Sequence, residues 1–297
     1  MNFAERDGWI WLDGRLTPWR EANVHVLTHG LHYASTVFEG ERAYGGVIFK
    51  LAEHSARLRR SAERLGFQLP RSVEQINEAC RAVVAANGLE SAYLRPIAWR
   101  GSDEMGVSAR REDIHLAVTA WHWGAYFGEE SAARGVRLDI SQWRRPAPDT
   151  APTDAKASGL YMICTLAKNE AEARGYDDAL MLDWRGQVAE STGANVFFVK
   201  DGALHTPPPD CFLNGITRLT IIDLARQQGL EVIERAIWPE ELDDFDEMFL
   251  TGSAVEVMPV AEAGQWRFDL GPVGRQLRAD YLDLVNGRSE ALESRAA

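Results

Sequence analysis

The segment TDAKASGLY, residues 153–161, stands between a predicted strand at 136–143 and a predicted helix that begins near Leu160. Small residues surround its Lys156 and would let the backbone and a planar ligand approach closely. Covalent carbonyl chemistry needs a lysine whose amine is kept neutral, because a lysine with the usual pKa of about 10.4 is protonated at pH 7. Lys156 is therefore a candidate Schiff-base lysine, although a lysine in a small-residue turn can also simply point into water.

Lysine is rare in this chain, and the other lysines have solvated contexts. Four of the 32 basic residues are lysines, and the remainder are arginines. Lys200 precedes a predicted hairpin turn, Lys168 has a glutamate four residues later on a predicted helix, and Lys50 joins a strand to a helix. Arginine cannot replace a nucleophilic lysine, because its guanidinium stays charged. The sequence context therefore singles out Lys156.

The overall composition is that of an acidic globular protein. The 297 residues include 44 Asp and Glu, and the formal net charge is −12. Nucleic acid and anionic membranes both require clustered positive charge, so neither is an expected partner. Hydrophobic residues make up 45% and charged residues 26%, which is typical of a folded domain. Its length predicts about two domains.

The cysteines and the N-terminus bear on location. Three cysteines, Cys80, Cys164 and Cys211, are far apart and follow no metal-ligand spacing, so we expect no metal site, no disulfide framework and a reducing compartment. The first residues are charged where a secretory signal would be apolar, and no run approaches the ~18 apolar residues of a membrane span. The expected location is the cytoplasm.

Periodicity on both sides of the quoted segment predicts an α+β fold. The predicted strands are 9–12, 15–17, 92–99, 114–123, 136–143, 179–183, 232–236 and 247–250, with short pairs around Gly45-Gly46 and Asp201-Gly202, and the predicted helices are 51–65, 73–87, 160–174, 216–228 and 275–285. Glycines and an acidic pair interrupt the pattern after Gly124. We therefore expect a small N-terminal domain at 1–124, an interdomain loop at 125–134 and a large C-terminal domain at 135–297.

Two segments offer sites for an anion, and one offers a carboxylate. NGITR at 214–218 places a glycine before a helix whose first turn carries a hydroxyl, and TGSA at 251–254 follows an apolar strand. Amides at a helix N-terminus favour an anion, although glycine before a helix is also ordinary capping. Glu190, in VAESTGAN, stands in a segment poor in other charges, where it could hold a protonated ring nitrogen or simply be an exposed turn residue.

Seven segments in order carry a family resemblance. They are HxxRLxxSA (54–62), YLRP (93–96), WGAYFG (123–128), AKASGLY (155–161), AESTGANVF (189–197), NGITR (214–218) and TGSAVEVMPV (251–260). Together they resemble the fold-type IV pyridoxal-phosphate aminotransferases, and most closely the branched-chain amino acid aminotransferases. The resemblance implies two α/β lobes with pyridoxal 5'-phosphate at their interface. It also implies transamination of Leu, Ile and Val with 2-oxoglutarate, giving branched 2-oxo acids and glutamate.

The resemblance assigns roles to residues at matching positions. Lys156 would bind the cofactor covalently and later move the substrate's Cα proton. Tyr161 would hydrogen-bond the ring hydroxyl of the cofactor, and Glu190 would pair with its ring nitrogen. The residues implied to hold its phosphate are Arg57, Ile216, Thr217 and Ser253.

The same resemblance implies a substrate pocket that two subunits share. Its implied apolar lining is Tyr33, Phe38, Val107, Trp123 and Tyr126. Tyr33 and Val107 would come from the neighbouring subunit, which implies a homo-oligomer of at least two chains. The residues implied to bind the substrate's α-carboxylate are Ser253, Ala254 and Tyr93, and Arg95 would receive the second carboxylate of glutamate.

Some positions depart from the family pattern and leave alternatives open. Glu41 stands where the family usually has an apolar residue, and a charge at this position could alter the pocket entrance. Leu160 and Ser253 replace a usual Asn and Thr. The preferred amino acid therefore stays open. Alternative functions of the same fold are those of a D-amino-acid aminotransferase, an (R)-amine transaminase and an aminodeoxychorismate lyase. A non-catalytic acidic interaction protein is the alternative from another class.

Overall fold

The computed structural model describes residues 2–109, 113–124 and 126–288. The chain divides into two compact units. The first contains Met1–Gly124 and Ala155–Leu160, and the second contains Ala125–Asp154 and Tyr161–Ala297. Among the helices described, none combines the length and apolar character that crossing a membrane requires.

The first unit is built on a seven-stranded antiparallel sheet with the order β2-β1-β7-β6-β4-β5, and β3 also pairs with β6. The strands are β1 (Trp9–Leu12), β2 (Arg15–Pro18), β3 (Thr36–Phe38), β4 (Glu41–Tyr44), β5 (Val47–Ile48), β6 (Ala92–Arg100) and β7 (Ile114–His122). The segment around Lys156 lies against this sheet, because Val37 of β3 forms an isolated bridge with Ala157.

Two amphipathic helices cover this sheet and close its core. The helices of the unit are α1 (His29–Tyr33), α2 (Leu51–Arg64) and α3 (Val73–Ala86), with short 3-10 helices at Phe3–Glu5 and Trp19–Glu21. Ser72 and Gln75 form a capping box that starts α3. Apolar side chains of α2 and α3 pack on β6 and β7, and Leu58, Ile76 and Leu94 are fully buried there. Burial of this apolar surface stabilises the unit.

The second unit contains a nine-stranded mixed sheet with the order β10-β9-β8-β15-β14-β11-β12-β13, and β16 also pairs with β15. The strands are β8 (Val136–Ile140), β9 (Asp178–Leu182), β10 (Val188–Ser191), β11 (Asn195–Lys200), β12 (Ala203–Thr206), β13 (Val232–Glu234), β14 (Glu247–Gly252), β15 (Glu256–Ala263) and β16 (Trp266–Arg267). Because β10 pairs with β11 as well, six of the strands close into a ring. Ring closure leaves those strands without an open edge.

Helices pack around that sheet. They are α4 (Gly128–Arg134), α5 (Met162–Ala173), α6 (Ile216–Gln227) and α7 (Pro272–Val285), with a 3-10 helix at Pro239–Asp244; another 3-10 turn, Ser158–Tyr161, precedes α5. Aromatic and aliphatic side chains of the ring form the core, including Phe198, Leu250 and Val260. The α+β class of the chain is confirmed.

The structure agrees with most predicted elements and differs at several places. The stretch 125–134, expected to be a loop, contains helix α4, since the Glu-Ser-Ala-Ala-Arg run includes good helix formers. The predicted pattern omitted β10, β15 and β16. It also left 30–40 unassigned, where α1 and β3 form. Strand β3 is stabilised by pairing with the distant β6, which local periodicity does not record, whereas β10 and β15 pair with their sequence neighbours β9 and β14.

Candidate active site

The backbone of Lys156 is held in the first unit by two hydrogen bonds, one at its N–H and one at its carbonyl. The Lys156 N–H donates to Ser61 Oγ at 3.0 Å, and its carbonyl accepts from the Phe38 N–H at 3.1 Å. Its Nζ lies 5.0 Å from the centroid of the Phe38 ring. Backbone hydrogen bonds of this kind fix the direction in which the side chain leaves the loop. Lys156 is therefore anchored in the unit and does not project from a surface turn.

The charge state of Lys156 differs from that of an ordinary lysine. Burial, together with the nearby Arg57 guanidinium, lowers its pKa to about 8, and Glu39 opposes the change. At pH 7 an amine with this pKa is neutral in about a tenth of the molecules, against roughly one in three thousand at its usual pKa. A neutral amine is what nucleophilic chemistry requires.

Helix α2 presents a buried polar face at His54, Arg57 and Ser61, which are three and four residues apart and so share one side of the helix. Arg57 Nε and Nη2 donate to the two carboxylate oxygens of Glu39 at 2.7 and 2.8 Å. His54 Nδ1 lies 2.8 Å from Glu39 Oε2. The structure thus gives the HxxR motif a buried carboxylate partner from another segment.

Tyr93 and Arg95 lie two residues apart on β6 and therefore on the same face of the strand. Arg95 Nη2 donates to the Tyr93 hydroxyl at 3.2 Å, and its guanidinium carbon lies 4.6 Å from the centroid of the Phe38 ring. The Tyr93 and Trp123 rings are 4.9 Å apart. The first unit therefore places a cation among aromatic walls.

Gly40 makes room for this arrangement. A Cβ at position 40 would overlap the Tyr93 hydroxyl and approach its ring. A larger residue would displace the tyrosine from the aromatic cluster, which explains the glycine in physical terms.

Tyr33 and Val107 lie on exposed parts of the first unit, with 42% and 85% of their surface accessible. The buried His29 connects their segments. Its Nε2 is 2.9 Å from the Gly106 carbonyl, beside Val107, and its ring centroid is 4.7 Å from that of Tyr33. His29 therefore holds the end of α1 and the 106–107 segment together.

Glu190 is buried in the second unit at the pair of strands that closes the ring. Asn195, its partner in the β10–β11 register, donates to Glu190 Oε2 at 3.1 Å. The Arg145 Nε lies 3.5 Å from Glu190 Oε1. Burial lowers the pKa of Arg145, but the negative charge of Glu190, with smaller contributions from Cys164, Tyr161 and Cys211, outweighs it and raises the pKa overall. Glu190 is therefore a supported carboxylate rather than an exposed turn residue.

Asn195 also connects Glu190 to the N-terminus of α6. Its side-chain amide donates to the Leu213 carbonyl at 3.0 Å, and its carbonyl oxygen accepts from the Gly215 N–H at 3.1 Å. Ile216 and Thr217 open α6 and are both buried. The first turn of a helix carries unpaired amides and a positive dipole end, which together suit a phosphate.

Further predicted residues lie in the second unit. Ser253 and Ala254 follow β14 and are partly exposed, and the Tyr161 carbonyl accepts from Thr165 Oγ1 at the start of α5. Tyr126 is exposed, and its ring makes an edge contact of 4.7 Å with Phe127. Their predicted contacts with cofactor and substrate stay predictions.

The expectation for Glu41 is wrong. Its side chain is fully buried, in a unit core that also contains Cys80, and does not lie at a pocket entrance. Burial and the negative charge of Glu39 raise its pKa well above the usual value, while the Cys80 thiol is a hydrogen-bonding neighbour. A carboxyl group in this setting stays protonated, so position 41 adds no charge.

Sequence reasoning missed four buried residues that support the predicted ones: Glu39, His54, Arg145 and Asn195. His54 and Asn195 stand within quoted motifs and Glu39 follows the predicted Phe38, but no local pattern shows which side chains they contact. Arg145 gave no local signal, because one arginine among 28 is unremarkable until the fold places it beside Glu190.

Comparison with known proteins places this geometry in a family. Residues 36–263 match the family model described as amino-transferase class IV. A branched-chain-amino-acid aminotransferase of Pseudomonas aeruginosa is 45% identical over 298 residues, covering 98% of this chain and 97% of the relative.

Solved structures of the same enzyme type are similar over almost the whole chain. The branched-chain amino acid aminotransferase of Escherichia coli superimposes with a TM-score of 0.92 at 39% identity, covering 97% of this chain and 98% of that one. The enzyme of Thermobaculum terrenum, solved in its PLP form, gives a TM-score of 0.87 at 32% identity, with 96% of each chain covered. The chain therefore belongs to the class IV aminotransferases, among the branched-chain-amino-acid aminotransferases.

Proposed function

We propose that this protein transfers the amino group of branched-chain L-amino acids (Leu, Ile and Val) to 2-oxoglutarate, giving the branched 2-oxo acids and L-glutamate. The observation that carries the proposal is the cluster in the first unit. It combines a lysine with a lowered pKa, the aromatic ring of Phe38 and the guanidinium of Arg95. Leucine needs apolar walls and glutamate needs a cation, and this cluster contains both.

The donor set fits pyridoxal 5'-phosphate, which would supply an electron sink for the bond-breaking at the substrate's Cα. Lys156 supplies an amine that is partly neutral at pH 7, and Glu190 supplies a buried carboxylate for the ring nitrogen. Tyr161 would donate to the ring hydroxyl. The phosphate ligands that we propose are Arg57, Ile216, Thr217 and Ser253.

The chain's own residues would then perform three tasks. Lys156 would accept the proton of the substrate's Cα and deliver it to C4′ of the cofactor, because its lowered pKa lets the amine exchange protons near neutral pH. Glu190 would hold a proton on the ring nitrogen, and the nearby Arg145 would favour its carboxylate form. Asn195 would keep Glu190 aligned with the N-terminus of α6.

Substrate binding would use the aromatic cluster and a second subunit. Phe38, Tyr93, Trp123 and Tyr126 would contact the branched side chain, and Arg95 would bind the second carboxylate of glutamate. Ser253 and Ala254, with Tyr93, would bind the α-carboxylate. Tyr33 and Val107 would complete the pocket from a neighbouring chain.

A homo-oligomer of at least two chains is supported by the surface of the first unit. Exposed apolar side chains gather between β2 and the end of α1, namely Val24, Val26, Leu27, Leu31 and Tyr33. Contiguous exposed apolar surface of this kind is typical of an interface, and a second copy would cover it.

We also propose domains at 1–124 and 135–297, and a cytoplasmic location, consistent with three buried cysteines that form no disulfide.

A panel of single half-reactions tests this function. The holoenzyme is mixed with L-leucine, L-valine, L-glutamate, D-alanine or (R)-1-phenylethylamine, and the cofactor absorbance is followed in time. We expect rapid change with the three L-amino acids and none in the Lys156→Ala variant. Preference for D-alanine or the amine would assign the related transaminase activity, and no change with any compound would remove the enzyme assignment.

A further inference from the structure

Glu39 is a buried residue next to Phe38 whose carboxylate accepts three hydrogen bonds. Two come from Arg57 Nε and Nη2, at 2.7 and 2.8 Å, and the third partner is His54 Nδ1 at 2.8 Å. All three side chains are buried. A two-point contact between a guanidinium and a carboxylate fixes the plane of the guanidinium, which a single hydrogen bond would still allow to turn.

The surroundings of Glu39, Arg57 and His54 decide which of these side chains are charged. Burial raises the pKa of Glu39, but the charge and hydrogen bonds of Arg57, with those of His54, outweigh it and hold the pKa far below its usual value. Burial lowers the pKa of His54 despite the opposing carboxylate. Glu39 is therefore ionised and His54 is neutral, donating its Nδ1 proton. One negative and one positive charge are left to compensate each other.

The backbone on either side of Glu39 connects this group to Lys156. The Glu39 N–H donates to the Pro96 carbonyl at 2.8 Å, and the preceding Phe38 N–H donates to the Lys156 carbonyl at 3.1 Å. From α2, Ser61 accepts the Lys156 N–H. The segment that carries Glu39 and the helix that carries Arg57 thus both hold the backbone of Lys156.

We propose that Glu39 is a positioning residue that fixes the Arg57 guanidinium for the cofactor's phosphate and offsets the effect of its charge on the Lys156 amine. This inference rests on the proposed function, in which Arg57 binds that phosphate. Two opposing influences on Lys156 support it, since Arg57 lowers the lysine's pKa and Glu39 raises it. Without Glu39, the Arg57 guanidinium would lose the two-point contact that fixes its plane, and Lys156 would lose the largest influence that raises its pKa.

The first test measures ligand binding to cofactor-free protein. Glu39→Gln keeps the size of the side chain but replaces one accepting oxygen and removes the charge. Glu41→Gln is the matched control, because Glu41 is equally buried two residues later and already uncharged. Binding of pyridoxal phosphate and of pyridoxal, which lacks the phosphate, is followed by tryptophan fluorescence.

We expect Glu39→Gln to weaken pyridoxal phosphate binding at least tenfold and to leave pyridoxal binding within twofold, while Glu41→Gln changes neither. Equal losses for both ligands, or no loss for either, would overturn the inference. If Glu39→Gln does not fold, Glu39→Asp against Glu41→Asp takes its place, with the same selective loss expected. Wild-type protein that fails to bind pyridoxal phosphate would instead remove the proposed function, and this inference with it.

The second test measures the pH at which the Lys156 amine becomes reactive in protein without cofactor. The rate at which Lys156 is reductively methylated in the cofactor-free protein is measured against pH by mass spectrometry. The wild-type midpoint is expected near pH 8 and should move to lower pH in Glu39→Gln, whereas Glu41→Gln keeps the wild-type midpoint. An unchanged midpoint in Glu39→Gln contradicts the electrostatic half of the proposal, because a purely structural change would not move it selectively.

Discussion

At the scale of single residues, Glu39 and Glu41 stand two positions apart and have opposite protonation states. Glu39 accepts hydrogen bonds from two donor residues and is ionised, whereas both carboxyl oxygens of Glu41 are buried and its pKa is raised by burial and by Glu39. The environment, and not the residue type, decides the charge.

The raised pKa of Glu41 predicts a pH-dependent stability. The folded state retains a proton that the unfolded state loses above about pH 4.5, so the free energy of unfolding falls as pH rises from there toward the folded-state pKa. Glu41→Gln cannot ionise. We expect the variant to gain about 1.4 kcal/mol relative to wild type for each pH unit within that window.

Urea unfolding of both proteins at pH 5, 7 and 9 checks this prediction. The stability difference between them should widen with pH, and the effects of titrating groups that do not interact with Glu41 cancel in the comparison. A constant difference across the three pH values would mean that Glu41 is not a buried protonated acid.

Arg95 gives a second prediction at the residue scale. Because its guanidinium lies among the aromatic walls of the first unit, Arg95→Ala should slow the half-reaction with 2-oxoglutarate about 10- to 100-fold, in line with the loss of a charged hydrogen bond. The half-reaction with 2-oxoisocaproate, which has no second carboxylate, serves as the internal control and should change far less. Equal losses in both single-turnover rates would contradict the role of Arg95.

At the scale of elements, Asn195 links the closing strand pair of the ring to the N-terminus of α6. The Gly215 N–H donates to the Asn195 side chain, and a Cβ at position 215 would overlap that same oxygen. The backbone of Gly215 has ordinary angles, so the glycine is required by close packing and not by its conformation.

This close approach predicts the effect of Gly215→Ala. The added methyl group should push Asn195 away from the helix and weaken the binding of pyridoxamine phosphate at least tenfold, because the amides of α6 would no longer be aligned. Gly193→Ala is the matched control, since a Cβ there meets nothing within 4 Å. Calorimetric titration of the cofactor-free variants with pyridoxamine phosphate measures the affinities. Wild-type affinity in both alanine variants would contradict the prediction.

At the scale of the whole molecule, the exposed apolar residues around α1 bear on assembly. Leu31 is 64% exposed on the same short helix as Tyr33, and His29 connects that helix to the segment of Val107. A subunit interface here would bury both side chains that the proposed function assigns to a neighbouring pocket.

Leu31→Glu should therefore shift the protein toward monomers, because a charge would be buried without a partner in the interface. Sedimentation at micromolar concentration measures the shift, and activity should fall with the dimer fraction. Val47→Glu is the control, since Val47 is 71% exposed in the same unit but lies on β5. Unchanged sedimentation of Leu31→Glu would exclude this surface as the subunit contact.

The elements that the sequence predicted well are those with a clear turn signal or apolar periodicity of their own. The Asp13-Gly14 turn defines the β1–β2 hairpin, and the apolar periodicity of α2 and α3 gives those helices to within a residue or two. Strands β10 and β15 pair with their neighbours in sequence, β9 and β14. They escaped prediction because β10 is only four residues long and β15 contains Pro259, which interrupts the strand pattern.

The sequence by itself determined the family, through motifs in order, and nominated Lys156 through its small neighbours. Only the tertiary structure decided that the pKa of Lys156 is lowered to about 8, that Glu39 holds Arg57, and that Glu41 is protonated. The physical reason is that the two kinds of interaction act over different distances along the chain. Backbone propensity depends on a few adjacent residues, whereas burial and charge act between side chains that the fold brings together from positions 39, 57 and 156.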